Sequence, residues 1–257
     1  MDTAQKRRWL IEYLLDERGE EHSVPESEAD QICLLRALLN VRPANPPTEE
    51  FLQIQDDYLK ARLCERGIVK ATDLDVDENG FSLWQGDITQ LECDAIVNAA
   101  NSGLTGCWIP NHKCIDNCIH TYSGVQLRIE CSKIIENQGH TEPFSQAKVT
   151  DAFNLPCKKV IHTVGPIVDG ELNDRHVGLL TLCYENCLKA AMQHNLMSIA
   201  FCCISTGVFH FPNIRAAEIA TSTCKKFVHT YGFPKQIIFN VFLDKDKQIY
   251  EDLLLEK

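Results

Sequence analysis

At 257 residues and 44% hydrophobic content, the chain suffices for one large domain or two unequal ones with buried cores. A net charge of −11 argues against a non-specific nucleic-acid binder, which needs a basic face, though backbone N–H groups can still hold a small anion. The 13 cysteines are odd in number and scattered, which points to a reducing, cytoplasmic setting rather than a disulfide framework. No apolar run reaches the roughly 18 residues of a membrane span. No signal-type apolar stretch follows the basic residues Lys6, Arg7 and Arg8.

Residues 1–70 hold only two glycines and carry apolar residues at helical spacing. Trp9, Leu10, Tyr13 and Leu14 make one stripe, Ile32, Leu35, Leu38 and Leu39 a second, and Phe51, Ile54, Tyr58 and Leu59 a third. Ser27 and Thr48 stand where N-caps belong, and Pro25 and the Pro43–Pro47 cluster break the segments. Three short helices are predicted, forming a helical N-terminal extension over residues 1–70; a partner-binding module is the alternative.

From about residue 80 strands alternate with helices. Strands are predicted at 81–85, 94–99, 148–153, 160–164, 198–204 and 236–243, and helices at 115–135, 178–194, 214–229 and 247–255. The apolar run 198–204 suits the middle of a covered sheet. The expected fold is a three-layer α/β/α sandwich over residues 71–257 with a mixed, centrally parallel sheet.

Ligands of such sheets bind beyond the carboxyl ends of the strands, and three loops qualify. Gly86-Asp87-Ile88-Thr89 offers a carboxylate beside a glycine turn, able to accept from an exocyclic amine or simply to cap a helix. The second loop, residues 98–114, opens with Asn98 and Asn101 around two alanines, amides that can hold hydroxyls. Within eight residues it then places Cys107, His112 and Cys114. Three soft ligands leave a zinc ion one open position, the catalytic pattern; alternatively the cysteines pack in the core and His112 caps a turn. The third loop, Ile204-Ser205-Thr206-Gly207-Val208-Phe209-His210-Phe211-Pro212, exposes successive N–H groups before a helix, as a diphosphate cradle would. It could equally be a tight turn with Phe209 and Phe211 in the core.

Taken together, Gly-Asp-Ile-Thr at 86–89, Asp-Ala-Ile-Val-Asn-Ala-Ala-Asn at 94–101, Val-Ile-His-Thr-Val-Gly-Pro at 160–166 and the 204–212 loop resemble the macrodomain family, the ADP-ribose-binding fold. The insert at 106–120 is similar to that of the zinc-containing branch, whose members are protein-ADP-ribose hydrolases and carry a helical N-terminal extension. The resemblance implies one zinc ion on Cys107, His112 and Cys114. It implies adenine contact from Asp87 and Ile88, with Phe242 stacking on the base. Asn101 would hold the distal ribose; Ser205, Thr206, Gly207 and Val208 would cradle the diphosphate; Phe209 would pack beside the sugar. His162 is expected to be structural. Position 210, usually glycine in such loops, is histidine here, so a positive φ would be strained.

The implied reaction is zinc-dependent removal of mono-ADP-ribose from protein side chains by cleavage at the distal ribose C1″. Asn101 would fix the sugar and Asp116 would act as base or as partner of a ligand; Asp116 could instead only favour the helix dipole. His120, four residues on, could serve instead of Asp116 or simply face another side. The rival is a reader that binds ADP-ribose without cutting it and uses zinc as structure. A weaker option is a structural zinc domain that recruits partners. A cytoplasmic monomer is expected, whose partners are ADP-ribose and mono-ADP-ribosylated protein, with no DNA and no membrane.

Overall fold

The computed structural model describes residues 1–20 and 24–255; residues 21–23 and 256–257 of the expected 1–70 and 71–257 units lie outside the described residues. Three helices open the chain: α1 (Thr3–Arg18), α2 (Glu28–Val41) and α3 (Glu49–Arg66). Each begins where a side chain satisfies a free N–H: Asp2 accepts from the Gln5 amide, Ser27 from Asp30, and Thr48 from Phe51. Each such cap contributes about 1 kcal/mol. The predicted stripes turn inward, where Leu10, Leu14, Leu35, Phe51, Ile54 and Tyr58 form a core of their own. That core also takes in Val125 from the following fold.

The remaining strands and helices are β1 (Val69–Lys70), β2 (Phe81–Gln85), β3 (Leu91–Glu92), β4 (Ala95–Ala99), α4 (Ile115–Ser123), α5 (Val125–Gln138), β5 (Ala147–Asp151), β6 (Lys159–Thr163), α6 (Asp174–Gln193), β7 (Ser198–Phe201), α7 (Asn213–Tyr231), β8 (Gln236–Val241) and α8 (Asp244–Leu255). Six strands form one mixed sheet in the order β2-β8-β7-β4-β6-β5. All neighbours are parallel except β5, which runs antiparallel to β6 at the edge. This is the expected α/β sandwich, with the three N-terminal helices beside it. Among the described residues, no helix is long and apolar enough to cross a membrane.

The expected single helix over 115–135 is two helices. Gly124 adopts φ 98° and ψ 173°, a conformation that glycine tolerates, and the chain turns there between α4 and α5. The apolar run 198–204 is strand only to Phe201; Cys202 and Ile204 are buried in loop. The short parallel pair β1 and β3 was not expected.

The parallel arrangement brings the carboxyl ends of β2, β4, β6, β7 and β8 to one edge. There β4 and β7 pair only at Ala95–Ile199 and Ile96–Ala200. Beyond that point β4 continues on β6 and β7 on β8, so the two strands part and their following loops face a shared opening. The opposite ends are tied by Asp94, whose carboxylate accepts from the N–H groups of Met197 and Ser198 and pairs with Lys158.

Candidate active site

The loop after β4 is built on Asn101. Its Oδ1 accepts from Gly103 N at 2.9 Å, and its Nδ2 donates to Gly106 O and to Asp116 Oδ2, both at 3.0 Å. One amide thus joins the turn, the residue preceding Cys107, and the first turn of α4. Gly106 has φ 83°, and a Cβ there would lie 2.8 Å from the His120 ring. The glycine is therefore required both by conformation and by the close approach of His120.

Asp116 is 5% exposed and accepts a second bond, 2.8 Å, from Asn98 Nδ2. Burial pushes its carboxyl up to about 6, opposed by the Asn98 and Asn101 amides and by Arg128. His120 does not face another side. The i,i+4 spacing stacks it on Asp116, with Nε2 3.6 Å from Oδ1. Burial, with His162 and Arg128 nearby, pushes His120 well below its usual value, so it is neutral. Asn98 was expected to hold ligand hydroxyls, but it is fully buried, between Asp116 and His162. His162 has both ring nitrogens engaged, by Asn98 at 3.2 Å and Thr150 at 2.9 Å, and burial lowers it to about 3. It is structural, as expected. With Cys131 and His120 it forms a second, buried Cys/His group, in which His162 engages both nitrogens with Asn98 and Thr150 while, among the described residues, neither His120 nitrogen has a hydrogen-bond partner.

Cys107, His112 and Cys114 converge, with donor atoms within 4.8 Å of one another. Cys107 Sγ lies 3.3 Å from His112 Nδ1. A tetrahedral zinc with sulfur at about 2.3 Å and nitrogen at about 2.0 Å separates such a pair by about 3.5 Å, so the donor set and its spacing fit zinc. All three residues are half-buried, and Cys114 is the N-cap of α4, at the positive end of the helix. Burial, with Cys107 and Asp116 close by, raises its free thiol to about 12.

At the β2 end, Asp87 Oδ1 accepts from Thr89 N at 3.0 Å and caps the short turn at Ile88–Gln90. Its Oδ2 pairs with Arg66 of α3 at 3.1 Å. Ile88 is buried and Phe242, just past β8, is 72% exposed. In the 204–212 loop Phe211 enters the core while Phe209 is half-buried and Val208 is exposed. The loop closes on bonds from His210 N to Gly207 O and from Phe211 N to Ser205 O, both 3.0 Å. Among the described residues the N–H groups of Gly207, Val208 and Phe209 meet no acceptor, and the buried Ser205 Oγ has no partner. Positive φ falls on Ser205 (65°) and on His210 (57°), so the histidine does sit in the conformation that disfavours it.

Sequence reasoning missed three residues of the N-terminal helices: Arg36, Asn40 and Arg66. Arg36 donates to His112 O, Asn40 accepts from Asn111 N, and Arg66 holds Asp87. Nothing local signals them, because their partners lie 21 to 76 positions away.

The Macro domain family matches residues 97–220. A protein-ADP-ribose hydrolase of Treponema medium is 52% identical over 260 residues, covering 99% of this chain and 100% of the relative. The chain belongs to the macrodomain family. A second relative of this macrodomain, a protein-ADP-ribose hydrolase of Staphylococcus aureus (strain MSSA476), is 44% identical over 260 residues, with 98% and 97% covered. Among solved structures, the Trypanosoma brucei macrodomain in complex with ADP-ribose superposes with a TM-score of 0.67 at 26% identity, covering 90% of this macrodomain and 97% of that chain.

Proposed function

We propose that this macrodomain is a protein-ADP-ribose hydrolase that releases mono-ADP-ribose from modified side chains by cleavage at the distal ribose C1″. The observation that carries the reading is the Asn101 junction, which sets a buried carboxylate, Asp116, beside a loop of three convergent soft donors. The relatives named protein-ADP-ribose hydrolases support it.

In this reading Asp87, Ile88 and Phe242 receive adenine, Asp87 being pre-oriented by Arg66. The open N–H groups of Gly207, Val208 and Phe209, with Ser205 and Thr206, take the diphosphate. Phe209 packs beside the distal ribose. Asn101 fixes that sugar, and Asp116 accepts the proton of the attacking water, its carboxylate aimed by Asn98 and Asn101. Cys107, His112 and Cys114 would hold one zinc ion, which when bound supplies Lewis acidity at the reacting end of the sugar. The neutral His120 fills the space behind Asp116 and keeps it from turning away.

The test is release of ADP-ribose from a mono-ADP-ribosylated protein by wild type, by Cys114→Ser and by chelator-treated protein, beside direct ADP-ribose binding. Release by wild type alone, with binding retained in all three, is expected. Tight binding with no release from Asp/Glu, Ser or Arg linkages would replace the enzyme by a reader.

A further inference from the structure

The loop from Cys107 to Cys114 has no regular secondary structure, so its shape depends on what grips its backbone. Two grips come from Asn117, one turn into α4 and fully buried. Its Nδ2 donates to Cys107 O at 3.3 Å and to Ile109 O at 3.0 Å. The other two come from α2. Asn40 Oδ1 accepts from Asn111 N at 2.9 Å, while its Nδ2 donates to Thr121 Oγ1. Arg36 Nη2 donates to His112 O and to Asn117 Oδ1, both at 2.9 Å, and reaches Cys118 Sγ at 3.3 Å.

The Arg36–Asn117 bond connects the two sets. Asn117 can present its Nδ2 to the Cys107 side only if its Oδ1 faces the other way, and Arg36 is the cation waiting there. A single guanidinium nitrogen therefore holds the carbonyl of one donor residue directly and the carbonyl of another through Asn117. The guanidinium is itself braced against the Tyr122 ring at 5.8 Å, and Arg66 packs on that ring at 3.7 Å. Loss of a group that orients the ligands of a metal typically weakens its affinity by about 10–100-fold.

We propose that Arg36 is a positioning residue for the Cys107–His112–Cys114 site, so that the N-terminal helices set its metal affinity. This rests on the reading of those three residues as metal ligands. A purely structural Arg36 would only dock α2 on α4.

The experiment measures zinc affinity of the full chain by chelator competition, and the absorption spectrum of the cobalt-loaded protein, for wild type, Arg36→Ala, Arg36→Lys and Lys6→Ala. Lys6 ties α1 to Asp57 of α3 and, among the described residues, makes no hydrogen bond to the loop, so its loss removes a tie between the helices without removing a bond of the grip. Arg36→Ala is expected to weaken zinc by about 10–100-fold and to alter the cobalt–thiolate bands. Arg36→Lys keeps the charge but is one bond shorter and meets fewer of the three acceptors, so it falls between; it decides the matter if the alanine variant does not fold. Lys6→Ala binds zinc as wild type does. The inference is overturned if the Arg36 variants bind zinc as tightly as wild type with unchanged spectra, or if Lys6→Ala weakens binding equally. If wild type itself takes up neither metal, the metal reading fails and this inference goes with it.

Discussion

Asn101→Ala cuts the junction on which the candidate site stands. It removes two neutral bonds inside the loop and one donated to the buried Asp116 carboxylate. Neutral bonds contribute about 1 kcal/mol each and a bond to a charged group about 1.5–3 kcal/mol, so the sum is about 4 kcal/mol. Asn101 is half-buried, and water can replace a share, which leaves about 2–3 kcal/mol. For a chain of this size that lowers Tm by about 4–12 °C. Turnover should fall further, by about 100-fold or more, because the sugar loses its holder and Asp116 one of its two guides. Thermal melts and single-turnover release of ADP-ribose measure the two effects separately. A cooperative variant whose Tm stays within about 2 °C, and whose rate stays within about threefold, would refute the junction.

Gly106→Ala should cost about 1–2 kcal/mol for the positive φ and about 1–3 kcal/mol more for the contact with His120. Gly19→Ala, at φ 64° with open space around it, carries the first cost alone, so equal losses in Tm would disprove the clash. His210→Gly relieves a strained φ worth about 1–2 kcal/mol against about 0.4–1 kcal/mol of extra unfolded-state entropy, so the denaturant midpoint should rise slightly. A lower midpoint would show that the histidine side chain holds the loop. Although burial alone would push it up, the Lys158 ammonium and the N–H groups of Ser198 and Met197 hold the Asp94 carboxyl below its usual value. The unfolded chain therefore binds that proton more readily, and the stability Asp94 contributes is present above its unfolded pKa and is lost as pH falls through the lower folded value. Asp94→Asn should flatten the loss of Tm below about pH 4; an unchanged acid slope would assign it to other carboxylates.

The fold was legible because its signals are local. Alternation of apolar runs and helical stripes marked five of the six main strands to within two residues at either end, and the caps of α2 and α3 came from single residues such as Ser27 and Thr48. Gly124 escaped because a lone glycine inside a helical stripe reads as tolerated, and only its φ reveals the break. The 198–204 run overshot the strand because burial continues after pairing ends. In the site, convergence of Cys107, His112 and Cys114 followed from their short spacing, whereas the orientation of Asn98 did not. The pairing of β4 with β6 sets it beside His162, a fact of register rather than composition. The grip of Arg36 on residues 76 to 82 positions away has no sequence signature at all.

The meeting of two arginines, Arg36 and Arg66, at the Tyr122 ring changes how genetic data on this chain should be read. Residues 28–66 contribute no group to the proposed chemistry, yet their side chains touch both ends of the cleft, Asp87 through Arg66 and the His112 carbonyl through Arg36. A screen for lost turnover would therefore return hits in this segment. They would fall on the faces of α2 and α3 turned toward α4, and by position alone they would look like failures of target selection. Sorting them by whether free ADP-ribose and metal still bind would expose them as lesions of the active site, inflicted from outside it.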